Sequence, residues 1–248
     1  MTISLAIPTY NSSQYFWDCI KPAIHNDFIG EIVIHDDYSS QSEYANILEI
    51  VYNLNTNKIK VYRSEKNQKA YINKYLSISK CTNDWVYLFD SDNWFDESII
   101  DVISKLDYNK TNICYLIDQL NVTDGNIIVF DYEDKVLNLR IIKEYIEKKI
   151  HHIDWVLNTG NFICNKNAYL NSQKPAVDSF LSNDGKFNNP KGCDVLLFSY
   201  YWLMSNNSFE IVDGFYHNHR IRPGNYFVEE LYENMKMVGE YLDKILLL

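Results

Sequence analysis

Val86-Tyr87-Leu88-Phe89-Asp90-Ser91-Asp92 is an apolar run that breaks off into two carboxylates one residue apart. A short, continuous apolar run of this kind fits a strand buried on both faces of a parallel sheet. The carboxylates at its end can both face one pocket if the backbone turns there. A solvated turn that caps the next helix is the alternative reading. Ile99, Ile100, Ile103 and Leu106 follow at helical spacing.

Upstream, the pattern repeats. Ile3 to Ile7 is another apolar run, stopped by Pro8, and Phe16, Ile20 and Ile24 then mark one helix face. Glu31 to His35 reads as a second strand, followed by a stripe of Tyr44, Ile47, Leu48 and Val51. Ile59 to Tyr62 is the third strand, and Ile72, Tyr75 and Leu76 mark the third helix. Residues 1 to about 106 thus alternate strand and helix four times, the signature of a parallel sheet with flanking helices. Ligands of such sheets sit beyond the carboxyl ends of the strands. Three polar clusters fall at such ends: Pro8-Thr9-Tyr10-Asn11, Asp36-Asp37 and Asp90-Ser91-Asp92.

After residue 106 the pattern changes. Ile113 to Ile117 and Ile127 to Phe130 flank Asp124-Gly125-Asn126, which predicts a hairpin. Leu139 to Ile150 reads as a helix and Trp155 to Cys164 is ambiguous. Residues 172 to 193, rich in Ser, Asn, Asp, Pro and Gly, read as a loop. Val195, Phe198 and Trp202 predict a buried helix, and Val228 to Leu248 an amphipathic one. The second half (107–248) is read as an extension of the domain that the first half (1–106) begins. Leu246-Leu247-Leu248 is expected to pack on the core, with a second subunit of a homo-oligomer or a membrane surface as the other options.

The chain has 248 residues, 46% hydrophobic and 23% charged, with a net charge of −10. That balance argues against a nucleic-acid-binding protein, which needs a basic footprint. Cys19, Cys81, Cys114, Cys164 and Cys193 are odd in number and show no C-x-x-C spacing. They read as reduced thiols of a cytoplasmic protein rather than a zinc site or disulfide framework. The N-terminal run reads as a strand rather than a signal peptide, and no segment approaches a membrane span.

Taken together, these motifs resemble the inverting, GT-A-fold glycosyltransferases of family 2. Ala6 to Asn11 resembles the family's opening strand and turn. Glu31 to Ser40 resembles its segment ending in Asp-Asp-Gly-Ser-Thr, with Tyr38 at the glycine. Arg63 to Ile78 resembles its Arg-Asn-rich stretch, with Lys69 and Ser77 at two glycines and Tyr75 at an asparagine. Phe89 to Asn93 resembles its Leu-Asp-Ser-Asp-Asp. The resemblance implies an α/β, Rossmann-like, mostly parallel sheet with a C-terminal acceptor-side extension.

It also implies roles. Pro8, Thr9, Tyr10, Asn11 and Asp37 would line the nucleotide site, and Lys74 would lie near the base or diphosphate. Asp90 and Ser91 would sit near the ribose, and Asp92, with Asp90, would hold Mn²⁺ or Mg²⁺. Gly192-Cys193-Asp194 resembles the region of the catalytic base, with Cys193 in place of the first acid, so Asp194 is the candidate. Helix capping is its alternative, and Asp178 and Asp184 are fallbacks. Tyr216 to Asn225 resembles the family's C-terminal motif, in which Arg220 and Arg222 would hold the leaving diphosphate. His217 and His219 are read as structural before metal-ligating. The expected reaction moves a sugar from a nucleoside diphosphate sugar, UDP-sugar favoured, to a glycan, lipid-linked or other hydroxyl acceptor with inversion. Two rivals stand beside it: a non-catalytic nucleotide-sugar- or partner-binding module, and a sugar nucleotidyltransferase, disfavoured because no glycine precedes Gly30.

Overall fold

In the computed structural model, which describes residues 1–182, 191–221 and 231–248, the first apolar run forms β1 (Ile3–Thr9), buried at every position. Three more strand–helix units follow it. α1 (Ser13–Ile24) completes the unit that β1 begins, and the three are β2 (Ile29–Asp36) with α2 (Gln41–Leu54), β3 (Ile59–Arg63) with α3 (Lys69–Ser79), and β4 (Trp85–Leu88) with α4 (Glu97–Ile103). β1 pairs in parallel with β2 on one side and β4 on the other, and β2 pairs in parallel with β3. The chain therefore leaves β1 in one direction for β2 and β3, then crosses to its other side for β4. That reversal opens a crevice beyond the carboxyl ends of β1 and β4. α1 covers the sheet with Phe16, Cys19, Ile20, Ala23 and Ile24, all buried and three or four residues apart.

The second half completes the same sheet, whose order is β3-β2-β1-β4-β8-β5-β9-β7 with β6 paired to β5. The elements are β5 (Ile113–Val122), β6 (Ile127–Val129), β7 (Val136–Leu137), α5 (Leu139–Glu147), α6 (Ile153–Leu157), β8 (Phe162–Asn165), α7 (Lys166–Ser182), α8 (Asp194–Met204), β9 (Ser208–His219) and α9 (Leu231–Leu247). Four strand pairs are parallel and four antiparallel, and the longest registers, β1 with β2 and β5 with β9, are parallel. The expected hairpin forms between β5 and β6. The ambiguous stretch becomes α6 and then β8, antiparallel to both β4 and β5.

One expectation is corrected. Residues 172–182, read as loop, are helical. The buried face of α7 is Tyr169, Ser172, Gln173, Ala176 and Val177, so its helical periodicity is hidden behind small and polar residues. Gln173 is tolerated there because its Oε1 accepts a 2.8 Å bond from the Tyr71 hydroxyl. β9, the longest strand, carries an irregularity: Ile117 aligns with Val212 but Gln119 with Tyr216. Two extra residues preserve the alternation, so Phe209, Ile211, Phe215 and His217 share the buried face. Gly214 (φ 77°) makes this bulge, and its N–H donates to Asp118 Oδ2 at 2.7 Å. At the C-terminus Ile245 is buried and Leu248 packs against the core, while Leu247 is exposed. Among the described residues, no helix is long and apolar enough to cross a membrane.

At the opposite end of the sheet from the crevice, Glu31 is buried but fully engaged. It accepts from Ser4 Oγ (2.6 Å), from Thr82 N–H and Oγ1, and pairs with Lys60 Nζ (2.7 Å). Burial alone would raise its carboxyl, but these donors outweigh burial and bring it from 4.5 down to about 2. A depressed carboxylate stabilises the fold above its unfolded pKa, and that stability is lost as pH falls through the folded value. Glu31→Gln is therefore expected to cost about 2–3 kcal/mol at pH 7. Urea melts should show that cost shrinking between about pH 4.5 and 2.

Candidate active site

The three polar clusters at the strand ends meet in the crevice. Thr9 Oγ1 lies 2.8 Å from Ser12 Oγ, which lies 2.7 Å from Ser91 Oγ, so a chain of buried hydroxyls ties the end of β1 to the turn after β4. Asn11 N–H donates to Ser39 Oγ (2.9 Å), and Ser40 N–H donates to Asn11 Oδ1 (3.0 Å), which stitches the β1 and β2 loops together. Asn73 of α3 braces both from below. Its Nδ2 donates to Thr9 O (3.3 Å) and its Oδ1 lies 2.8 Å from His35 Nδ1. Pro8, Thr9 and Ser91 are buried, whereas Tyr10 (47% exposed) and Tyr38 (51%) are exposed at the rim.

Both Tyr38 (φ 64°) and Lys69 (φ 74°) adopt left-handed backbone, as does Asn11 (φ 47°). The first two are positions where the sequence departs from glycine, so the fold keeps the glycine conformation under residues that resist it. Tyr38 is backed by the Arg63 guanidinium, 5.3 Å from its ring. Lys69 is exposed and its side chain has no such support. Lys69→Gly should raise stability by about 1 kcal/mol. In a differential scan, Tm should rise by roughly 2–4 °C.

Asp37 is buried, and its two oxygens accept the N–H groups of Gln68 (2.7 Å) and Lys69 (2.8 Å) at the start of α3. Burial pushes its carboxyl up to about 6 although these two donors pull it down. Its first service is thus to anchor α3; each oxygen keeps a second lone pair for a further donor.

α3 in turn carries Lys74 into the centre of the crevice. Lys74 Nζ is 3.3 Å from Asp90 Oδ1 and 2.9 Å from Asp194 Oδ2. Burial alone would lower the ammonium, but Asp194 and Asp90 outweigh it and hold Lys74 above its ordinary value. Burial likewise pushes the Asp90 carboxyl up to about 6; Lys74 opposes this, while Asp92 and Asp194 add to it. Asp194 is the first residue of α8, where the helix dipole favours an acid. It does not cap α8: the capping residue is Cys193, with no side-chain bond, and the Asp194 carboxylate turns inward to Lys74. Asp178, the fallback, sits exposed on α7 in an ion pair with Lys174 (3.0 Å). Asp184 lies outside the described residues.

Arg220 closes the other flank. Its Nε donates to Asp92 O (3.0 Å), its Nη2 to Asp18 Oδ2 (3.1 Å), and its guanidinium lies over the rings of Tyr15 (4.5 Å) and Trp94 (4.8 Å). The expected cation is therefore at the Asp92 turn. Arg222 lies outside the described residues. His217 is buried against Phe89, and its burial lowers its pKa well below 6.5. Burial lowers His219 too, against the pull of Asp92. Among the described residues, no group of three or more His, Cys, Asp or Glu side chains converges as a metal cage.

Sequence reading passed over Ser12, Asn158, Gly160 and Asn161. Asn161 Oδ1 accepts the Asp90 N–H at 2.7 Å. A Cβ on Gly160 would collide with Asp90 Oδ2 and lie 3.3 Å from Lys74 Nζ. A lone glycine in an unassigned stretch was the signal available, and only the folded chain shows what approaches it.

An open α/β sheet with a switch point between β1 and β4 and a carboxylate-lined crevice there defines the class of doubly wound, ligand-binding α/β folds. The sequence profile of Glycosyl transferase family 2 matches residues 4–169, and the chain belongs to that family. It is 23% identical over 165 residues to "Glycosyltransferase GlyG" of Streptococcus pneumoniae serotype 4, a match covering 65% of this chain and 54% of that protein. The chain thus spans about half the length of this relative. Crystal structures of S. aureus TarS 1-349 superpose on 99% of this chain and 70% of theirs. The complex with UDP-GlcNAc gives a TM-score of 0.65 at 20% identity, and the complex with UDP gives 0.62 at 19%. That likeness establishes the GT-A-type fold expected from the sequence.

Proposed function

We propose that this chain transfers a sugar from a nucleoside diphosphate sugar, UDP-sugar favoured, to a hydroxyl acceptor with inversion at the anomeric carbon. The carrying observation is the Lys74 bridge. It joins Asp90, at the carboxyl end of the parallel strands, to Asp194, from the acceptor half, at 3.3 and 2.9 Å. Family membership and the UDP and UDP-GlcNAc complexes of the TarS fold relatives support the donor class. Residues 1–106 would form the donor half and 107–248 the acceptor half of one domain.

In this reading Tyr10 and Tyr38 flank the base at the rim, and Asp37 offers its remaining lone pairs to a base N–H. Asp194, as general base, accepts the proton of the acceptor hydroxyl while that oxygen attacks the anomeric carbon and the bond to the diphosphate breaks. Arg220 and Lys74 supply positive charge near the departing phosphates. The donor set fits a hard divalent cation of the kind held by one or two carboxylates plus substrate phosphates. Asp92, with Asp90 beside it, would hold Mg²⁺ or Mn²⁺. Such a cation, when bound, neutralises charge on the leaving diphosphate.

Thermal shift against UDP, GDP, dTDP and CDP, with and without Mn²⁺, tests the reading. A ligand at 100 times its Kd stabilises by about 2.7 kcal/mol, roughly 5–10 °C in Tm. Such a shift for a uridine nucleotide, dependent on Mn²⁺ and lost in Asp92→Ala, is expected. No shift with any nucleotide would sink the donor reading.

A further inference from the structure

The link between α6 and β8, residues Asn158 to Asn161, packs against Asp90 and hydrogen-bonds the backbone on either side of Asp194. On one side, Asn158 holds the lead-in to α8. Its Nδ2 donates to Gly192 O (3.1 Å) and its Oδ1 accepts Leu196 N–H (3.2 Å). These two bonds straddle Asp194 in the chain. Ser199 Oγ adds a third tie, donating to Leu157 O at 2.6 Å. On the other side, Asn161 Oδ1 takes the Asp90 N–H at 2.7 Å. Between them Gly160 presents bare backbone where Asp90 Oδ2 approaches too closely for a Cβ, with Lys74 Nζ close beside it. Thr159 and Asn161 are buried, so the link is packed and not a free loop.

We infer that Asn158-Thr159-Gly160-Asn161 is a positioning strap for the transfer reaction, which sets Asp194 relative to Asp90 across the crevice. This inference rests on the proposed role of Asp194 and deepens it. The physical case is one of reach. Asp194 opens a helix in the second half of the chain, and Asp90 ends a strand in the first. Their carboxylates are joined through Lys74, whose long stem has many rotamers and fixes no distance by itself. A four-residue segment that hydrogen-bonds the backbone on both sides fixes it. A carboxamide serves both needs at 158, because its Nδ2 donates to Gly192 O while its Oδ1 accepts from Leu196 N–H. Misplacing a base by about 1 Å costs on the order of 100-fold in rate.

Asn158→Ala and Asn158→Asp test this in the full chain, beside Asp194→Asn. Rates are read as nucleoside diphosphate release from UDP-sugars, alone and with an acceptor panel. Nucleotide Kd is read by calorimetry. Asn158→Ala should lower kcat by about 10–100-fold with nucleotide Kd unchanged within about threefold. Asn158→Asp, which keeps the acceptor and loses the donor, should fall between. In the Asp194→Asn background Asn158→Ala should have no further effect, since the strap acts through that carboxylate. Amide hydrogen exchange gives a readout free of any substrate: Leu196 N–H should exchange faster in Asn158→Ala, and Asp90 N–H in Asn161→Ala. A wild-type kcat in Asn158→Ala overturns the strap. So does an equal loss from Asn158→Ala with and without Asp194, or unchanged exchange at both amides. Retained turnover in Asp194→Asn would instead overturn the base assignment. Absence of any release by the wild type would overturn the transferase reading. Both of these outcomes are distinct from failure of the strap.

Discussion

Asp194→Asn is expected to lower transfer by about 10²–10⁴-fold, the usual contribution of a positioned general base. Asparagine matches aspartate in shape, so α8 and the ties to Asn158 should persist. Lys74 keeps Asp90 as its partner at 3.3 Å. What is lost is an oxygen basic enough to take the proton of the attacking hydroxyl. The substitution removes an interaction used only in the transition state, so kcat should fall and nucleotide Kd should stay within about threefold. Steady-state kinetics beside nucleotide calorimetry check both halves. Turnover near the wild-type rate would move the base role away from Asp194.

Lys74→Met should produce the largest combined effect on stability and activity. Methionine fills a similar volume without the charge, leaving Asp90 and Asp194 in one crevice with no cation between them. Removing one partner of a buried ionic group costs about 3–5 kcal/mol, because it strands the other. Asp90 is 30% exposed at its side chain, which softens the penalty. We expect a loss of about 2–4 kcal/mol at pH 7, or roughly 5–15 °C in Tm. The pH dependence has a definite sign. Burial already raises Asp90 to about 6, and a group raised in the folded state favours folding while protonated. The deficit of the variant should therefore be largest above that value and shrink as pH falls from 7 toward 5. Turnover should fall at least about 100-fold, since the departing phosphates lose a preorganised positive charge. Lys74→Arg, which keeps the charge, should recover most of the stability. A Tm within about 2 °C of wild type and an unchanged kcat would show that the bridge supports neither fold nor chemistry.

Much of the architecture was legible before folding. The four strand–helix units came from apolar periodicity, a local property that survives because both faces of the strands are covered. The hairpin came from its turn residues. The second half was less legible for reasons that can be named. α7 hides its buried face behind Ser172 and Gln173, whose partners come from other elements. β9 hides its alternation behind a two-residue irregularity at Gly214. The glycine departures at Tyr38 and Lys69 were visible as substitutions, but their left-handed backbone was not.

The site divides the same way. By itself, the sequence determined which residues stand near the strand ends, although β1 runs through Pro8 to Thr9 and β4 ends at Leu88, because a strand that ends there hands its next residues to the crevice. Asp194 became a candidate only through the resemblance of Gly192-Cys193-Asp194 to the family's base region, its place before an apolar helix being the ground for the rival capping role. The tertiary structure alone decided that Lys74 spans Asp90 and Asp194, that Asn11 sews two loops together, and that Gly160 is the bare backbone against which Asp90 lies. Those contacts join residues far apart in the chain. Periodicity fixes which face a side chain takes, but the meeting of two faces depends on the packing of every element between them.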